Sequence, residues 1–344
     1  MNTPQHQSSM TSANGTVRTV LSIGTFDGVH LGHQALMRRS REVARLHPGS
    51  RVVAMVFEPN PLEVLRPESV PARLTAFETR RRALIEAGAD EVVRLEPTRE
   101  LLGLGPEQFI DACVHQRHPI AFVEGPDFHF GHKRAGDVEV LAELGRTRGF
   151  SVEVVENVEV ALTDHQLVPA RSTMVRWLLS HGRVRDAAVV LGRPYEIEGT
   201  VVRGDRRGRT IGYPTANIQT MCMAPGDGVY AARAELEDGR VFAAAVSIGT
   251  KPTFGEHERA VEAFLLVPGA SGRAWAPLSG LPEYGWGVRL HMLAWVREQI
   301  RYTSLEPLLE QMERDCTRVA AICADESVVI PAFDHRAEPK EAIA

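Results

Sequence analysis

The chain has 344 residues, enough for two separate cores. It is 44% hydrophobic and 24% charged, which excludes a disordered or fibrous chain. A formal net charge of -5 argues against a nucleic-acid protein held by bulk basicity, and no run approaches the ~20 apolar residues of a membrane span. Residues 1–16 are polar and have no apolar signal core, which reads against secretion. Residues 1–14 and 335–344 read as tails. Cys113, Cys222, Cys316 and Cys323 are far apart and form no C-x-x-C, so they read as reduced thiols in a cytoplasmic protein.

Taken in chain order, residues 17–23 form an apolar run that predicts a strand, and residues 34–46 carry a helical period. Between them lies Gly24-Thr25-Phe26-Asp27-Gly28-Val29-His30-Leu31-Gly32-His33. A glycine-rich loop between strand and helix brings backbone N–H groups and a helix N-terminus to one point, a site suited to phosphate. His33 falls at the helix start and His30 one turn earlier, where both can donate to phosphoryl oxygens as charge develops. The plainer alternative is a tight turn with exposed histidines. Gly24, Phe26, Asp27, Gly28 and the flanking elements favour the phosphate reading.

Further strands are predicted over 52–57, 91–95, 120–124 and 151–155, and helices over 78–87, 106–117 and 137–148. This alternation implies βαβ units, a parallel sheet and ligands at the carboxyl ends of its strands. Arg171-Ser172-Thr173-Met174-Val175-Arg176 opens a helix over 173–180 that Ser172 or Thr173 can cap. Ser172 and Arg176 share a helix face, so hydroxyl, N–H groups and guanidinium meet at a second phosphate-type spot. An ordinary cap with a surface arginine is the alternative. A short helix over 184–190 closes this half.

After Gly192-Arg193-Pro194 the pattern changes to short β-rich runs, 197–202, 229–236, 241–248 and 261–266, broken by Gly-Arg, Asp-Gly and Pro. That predicts a small antiparallel barrel or sandwich. Leu305, Leu308, Leu309, Met312, Cys316, Val319, Ala320 and Cys323 keep a helical period and predict one terminal helix. Gly204-Asp205-Arg206-Arg207-Gly208-Arg209 can form an anion nest. In the nearby Gly212-Tyr213-Pro214-Thr215-Ala216-Asn217, Thr215 and Asn217 offer oxygens suited to Mg²⁺. Glu262 lies inside the run Val261-Glu262-Ala263-Phe264-Leu265-Leu266, where a carboxylate is costly unless paired or used, and could act as a general base. A basic hairpin and an edge-strand glutamate facing solvent are the alternatives.

These motifs resemble those of the bacterial bifunctional riboflavin kinase/FAD synthetase family over residues 17–325. The first loop resembles the family's G-x-F-D-G-x-H-x-G-H. Phe57-Glu58-Pro59-Asn60-Pro61 falls at its F-x-P-H-P, Gly125-Pro126-Asp127-Phe128-His129-Phe130-Gly131 at its G-x-[ND]-F-x-F-G, and Ser172-Thr173-x-x-Arg176 at its S-S-T-x-x-R. Pro214-Thr215-Ala216-Asn217 matches its P-T-A-N, and residues 247–255 resemble its N-I-G-x-x-P-T-F loop. Val261-Glu262, Tyr284-Gly285 and Val296-Arg297 match its later V-E, Y-G and arginine-bearing strand.

The resemblance implies an α/β chain. An N-terminal parallel-sheet H-x-G-H nucleotidylyltransferase domain, 15–190, precedes a riboflavin kinase domain, 191–335, a six-stranded antiparallel β-barrel with a terminal helix. It implies that His30 and His33 stabilise the transferring phosphoryl group. Gly24, Phe26, Asp27, Gly28, Asn60, Asp127, Ser172, Thr173 and Arg176 would serve nucleotide or phosphate, with Phe128 and Phe130 at the flavin. In the second half, Gly204, Gly208, Arg209, Thr215 and Asn217 would hold ATP phosphates, with Mg²⁺ on Thr215 and Asn217. Glu262 would be the base, with Tyr284 and Arg297 at the flavin. Riboflavin, FMN, FAD and ATP enter as substrates or products. Neither nucleic acid nor membrane is an expected partner, and the oligomeric state stays open. Three positions depart from the pattern: Asn60 for histidine, Arg171 for the first serine, and Pro169 where a basic residue is sometimes seen. They leave room for a first half that uses another nucleotide such as CTP, or is weak. A flavin-binding regulator without catalysis is the reading from another class.

Overall fold

The structure, a computed structural model, describes residues 17–204, 206–250, 259–267 and 278–325. Both expected tails, Asp205 of the anion-nest loop and residues 251–255 of the glycine loop lie outside the described residues. In chain order the first elements are β1 (Thr19–Gly24), α1 (Leu31–Leu46), β2 (Arg51–Phe57), α2 (Pro61–Leu65), α3 (Phe77–Glu86), β3 (Glu91–Leu95), α4 (Arg99–Gly103), α5 (Pro106–Arg117) and β4 (Pro119–Glu124). Next come α6 (Val138–Arg148), β5 (Ser151–Val154), β6 (Glu159–Ala161), β7 (Leu167–Pro169), α7 (Ser172–Ser180) and α8 (Val184–Leu191). The last are β8 (Tyr195–Val202), α9 (Arg207–Thr210), β9 (Ala216–Gln219), β10 (Gly228–Leu236), β11 (Val241–Thr250), β12 (Arg259–Leu266), β13 (Gly287–Arg297) and α10 (Leu305–Ala324).

The chain forms two compact units. The first, built from the residues up to Gly24, Leu36–Phe57 and Gly88–Val155, holds a parallel sheet in the order β3-β2-β1-β4-β5. Central strands of such a sheet are covered on both faces, so they are apolar almost throughout. Leu21, Ile23, Val53, Met55 and Phe122 accordingly share one core with Phe109, Ile110 and Leu141 from the helices. Asp137 caps α6 by accepting from the N–H groups of Glu139 and Val140, at 3.0 and 2.9 Å. β1 and β4 pair only as far as Leu21 and Phe122. Beyond that point Glu124 Oε1 accepts from the Ile23 N–H at 2.7 Å in place of a ladder partner. The strand order reverses between these two strands, and in open α/β sheets that is where a crevice opens. Burial pushes the Glu124 carboxyl well above the usual carboxylate range.

The second unit comprises Thr25–Ala35, Glu58–Ala87 and the residues from Glu156 onward. Its centre is a closed antiparallel barrel of six strands, β10-β11-β12-β9-β8-β13. Closure removes the free edges that an open sheet would carry. Tyr195, Ile197, Tyr230, Val246, Leu290 and Met292 fill it, and Val175, Leu178, Val184 and Leu191 from α7 and α8 join the same core. α10 lays Val319, Ile322 and Cys323 on Val229, Ala231 and Val296. β9 escaped the periodicity because only four residues of it pair, inside a motif that reads as a turn. α2, α4, β6 and β7 are likewise too short for a period to register.

Candidate active sites

The H-x-G-H loop is held in a conformation its sequence does not favour. Phe26 and Val29 have φ of 48° and 44°, a region that disfavours bulky and β-branched residues. Such strain persists only where the surroundings over-determine it, and Asp27 supplies much of that. Its buried carboxylate accepts from Leu74 N–H at 2.9 Å, Thr75 N–H at 3.0 Å and the Thr75 hydroxyl at 3.2 Å, and pairs with Arg176 at 2.5 Å. The Gly28 N–H donates to Thr75 Oγ1 at 3.1 Å. Arg193 closes the other side, its guanidinium donating to the carbonyls of Gly28 at 2.8 Å and Val29 at 3.0 Å. Arg80 donates to Thr25 O at 2.8 Å and pairs with the buried Glu58 at 2.9 Å.

His30 immediately precedes α1 and His33 lies in its first turn. Their rings stack with centroids 3.6 Å apart. His30 Nδ1 accepts from the His33 N–H at 3.4 Å, which puts the proton of a neutral His30 ring on Nε2. Burial, helped by Arg193, Arg176 and Arg171, pushes His30 down to about 3. Burial, His30, Arg80 and Arg193 hold His33 well below the usual histidine range. Both rings are therefore neutral at pH 7, and each can offer one N–H. His33 Nδ1 is shielded and has no hydrogen-bond partner among the described residues. A buried polar atom without a partner is costly, and a bound ligand is one way to satisfy it. The turn admits α1 this closely because residue 32 is glycine: a Cβ there would lie 2.9 Å from Ala170 O and 3.1 Å from the His30 ring.

Ser172 does not cap α7, contrary to the sequence expectation. The N-cap is Arg171, with no side-chain cap bond, and Ser172 Oγ donates instead to Asp27 O at 2.7 Å. Arg176 reaches the same residue and also donates to Ala72 O at 2.6 Å. The shared helix face thus converges on Asp27. Thr173 is exposed. Asn60 has a local role in the backbone. Its side chain accepts from Leu62 N–H at 2.9 Å, and Glu63 accepts from the Asn60 N–H at 3.2 Å. This capping box over α2 gives a physical reason for an asparagine. Asn60→His should weaken the cap by about 1 kcal/mol, read as roughly fivefold faster exchange of the Leu62 and Glu63 amides. The preference for ATP over CTP should not change. A shifted preference would return Asn60 to nucleotide selection.

On the barrel, two cavities adjoin. The smaller, about 120 Å³, is lined by Gly204, Gly208, Arg209, Thr215, Asn217 and Tyr284 among others. The larger, about 780 Å³, is lined by Thr215, Ser247, Glu262, Phe264, Arg297 and Asp315 among others. Thr215 and Phe264 line both. Asn217 on β9 and Ser247 on β11 lie directly opposite Glu262 on β12, so the three share one face of the barrel wall. Val261 and Ala263 take the buried inner face. β12 is flanked on both sides, so Glu262 is not on an edge strand. A Cβ on Gly204 would fall 2.1 Å from the Asn217 side chain, so glycine lets that loop close over the carboxamide. Arg206 and Arg209 both donate to the Tyr284 hydroxyl, at 3.0 and 3.1 Å, and both pair with Glu283. Arg297 is held two-handed by the buried Asp315, with Nη2 to Oδ2 at 2.6 Å.

A bifunctional riboflavin kinase/FMN adenylyltransferase of Escherichia coli K12 is 33% identical over 298 residues, covering 86% of this chain and 90% of that protein. The chain belongs to this family. A Bacillus subtilis member is 30% identical over 306 residues, covering 87% of this chain and 90% of its own. The FAD synthetase family model matches residues 13–166 and the riboflavin kinase model residues 191–323. A solved structure from Streptococcus pneumoniae, described as a macrolide-efflux protein, superposes with a TM-score of 0.75 at 27% identity, over 89% of this chain and 95% of that one. Among the described residues no helix is long and apolar enough to cross a membrane.

Within the family frame, Phe130 is a core residue of the first unit, and a Cβ on Gly136 would lie 2.7 Å from its ring. Phe128 stacks on it at 5.4 Å and is half-buried, and Asp127 is exposed. Tyr284 lies on the smaller barrel cavity and Arg297 on the larger, so these two are not brought together. Sequence reasoning passed over Thr75, Arg80, Glu58 and Arg193. Three of them bond to the backbone of residues 25–29, and Glu58 pairs with Arg80. Contacts to backbone leave no motif. The one available signal was an arginine after the apolar Val189-Val190-Leu191 run, and it read as a boundary.

Proposed function

We propose a residue-level division of labour within a chain whose family membership makes it a bifunctional riboflavin kinase and FMN adenylyltransferase. Residues 15–190 carry nucleotidyl transfer and residues 191–335 the kinase. In the kinase, Glu262 takes the proton of the riboflavin ribityl hydroxyl as that oxygen attacks the γ-phosphorus of ATP and ADP leaves. The loop with Gly204, Gly208 and Arg209 holds phosphates. Thr215 and Asn217 fit Mg²⁺, which favours oxygen ligands and shares substrate phosphates, so the ion would neutralise charge there. In nucleotidyl transfer, the FMN phosphate attacks the α-phosphorus of ATP and pyrophosphate leaves. His30 and His33 donate to the phosphate oxygens, with Ser172 and Arg176 arranged beside them by Asp27. Phe128, more open than Phe130, is the aromatic surface offered to the flavin. The reading puts both reactions in the cytoplasm, consistent with four free cysteines.

The observation that carries the reading is that Thr215 lines both barrel cavities while Asn217 and Glu262 sit opposite each other beside it. A nucleotide in one cavity and an acceptor in the other would meet there. The test is product analysis by mass spectrometry. Riboflavin with ATP and Mg²⁺ should give FMN and then FAD, and FMN with ATP should give FAD and pyrophosphate in equal amounts. EDTA should stop both steps. Formation of FMN without any FAD would remove the adenylyl-transfer assignment.

A further inference from the structure

Arg193 is a half-buried cation that the mechanism above does not use. It follows α8 and leads into β8, inside the stretch matched by the riboflavin kinase family model. Its guanidinium nonetheless spans two successive carbonyls of the H-x-G-H loop, Gly28 O at 2.8 Å and Val29 O at 3.0 Å. Gln34 of α1 adds a second stitch, donating to Val29 O at 2.9 Å and to Leu191 O at 2.8 Å. Behind the guanidinium, Glu196 lies 3.9 Å from Nε and is itself held by Arg82 at 2.7 Å.

We propose that Arg193 is a positioning residue for nucleotidyl transfer: it fixes the strained turn at Gly28 and Val29 and so aims His30 and His33. This rests on the functional reading given above. A residue from the kinase-matched stretch thereby completes the loop of the other reaction. The physical reason is the backbone. Val29, β-branched and at φ 44°, is strained; Gln34 shares the hold on its carbonyl, but Arg193 ties that carbonyl to the Gly28 carbonyl before it, and His30 is the next residue. The guanidinium meets the two carbonyls with separate nitrogens of one rigid fork, a geometry that the single, mobile ammonium of lysine does not reproduce though it keeps the charge.

The guanidinium charge supplies a second, separable effect. Beyond burial, the groups facing the histidines are Arg193, Arg176 and Arg171 at His30, and His30, Arg80 and Arg193 at His33. Of the acidic groups nearby, Asp27 pairs with Arg176 and Glu58 with Arg80. Loss of the Arg193 charge therefore makes the rings easier to protonate.

The test uses the full chain with Arg193→Met and Arg193→Lys. Conversion of FMN and ATP to FAD is followed beside conversion of riboflavin to FMN. In Arg193→Met, kcat for FAD formation should fall about 10²-fold, the scale of a misplaced catalytic group, with FMN formation within about twofold of wild type. The acid limb of FAD formation should also move to higher pH. Arg193→Lys should lose rate as well but keep the limb where it is. FAD formation by Arg193→Met within about twofold of wild type overturns the proposal. So does a parallel fall of both activities, the mark of a merely structural residue, or an unmoved limb. If the unsubstituted chain makes no FAD, the functional reading itself fails.

Discussion

Glu262→Gln is expected to abolish most FMN formation while leaving FAD formation from supplied FMN intact. Loss of a positioned general base costs about 10² to 10⁴ in rate. The substitution is isosteric, and Glu262 lies on the wall face away from the barrel interior, where Val261 and Ala263 carry the packing. Folding should therefore be little affected, and the retained FAD step serves as the internal check. Because the base acts in the transition state, the loss should fall on kcat, with KM for riboflavin nearly unchanged. Full FMN production by the variant would remove Glu262 from the mechanism and shift attention to the other groups on the same cavity.

The fold was largely legible because both halves write their architecture in hydrophobic period. β1, β2 and β4 are near-continuous apolar runs, as strands covered on both faces must be, and α5 spans the residues its pattern marked. The barrel strands β8, β10, β11 and β12 likewise follow their runs, extended by one to two residues at some ends. What a period could not say was whether the β-rich half closed. Closure depends on β9, whose four residues read as a turn, pairing with both β8 and β12.

The sites were legible in their glycines and side chains but not in their supports. Asp27 illustrates the difference. From the sequence it belongs to a phosphate loop. In the structure its carboxylate is spent on Leu74, Thr75 and Arg176, so its contribution to a ligand runs through what it holds. Arg297 is similar: a flavin contact by resemblance, it is locked by Asp315 from α10, a pairing between residues 18 apart in sequence that no local pattern encodes. Asn60, read as a departure from the family's pattern, turns out to cap a helix too short to have been predicted.

His33→Ala is expected to lower FAD formation about 10²- to 10³-fold, the usual effect of removing one preorganised donor from developing charge. FMN formation should be unaffected. Burial and neighbouring cations hold His33 well below the usual histidine range, so the ring is neutral and can offer one N–H without first losing a proton to solvent. It stacks on His30, and His33 Nδ1 is left unpartnered among the described residues, while Ser172 and Arg176 both bond to Asp27 of the same loop. A neutral donor already in place costs no reorganisation when charge builds on the α-phosphate and the departing pyrophosphate. The same buried atom makes a structural control possible. His33→Ala removes an unsatisfied polar group, so it should leave thermal stability close to wild type while activity collapses. His33→Asn, which restores an N–H donor, should recover part of the rate. Equal FAD yields from wild type and His33→Ala would show that the loop serves binding or folding alone, and would move the search for the transition-state donors to Arg176 and the first turn of α7.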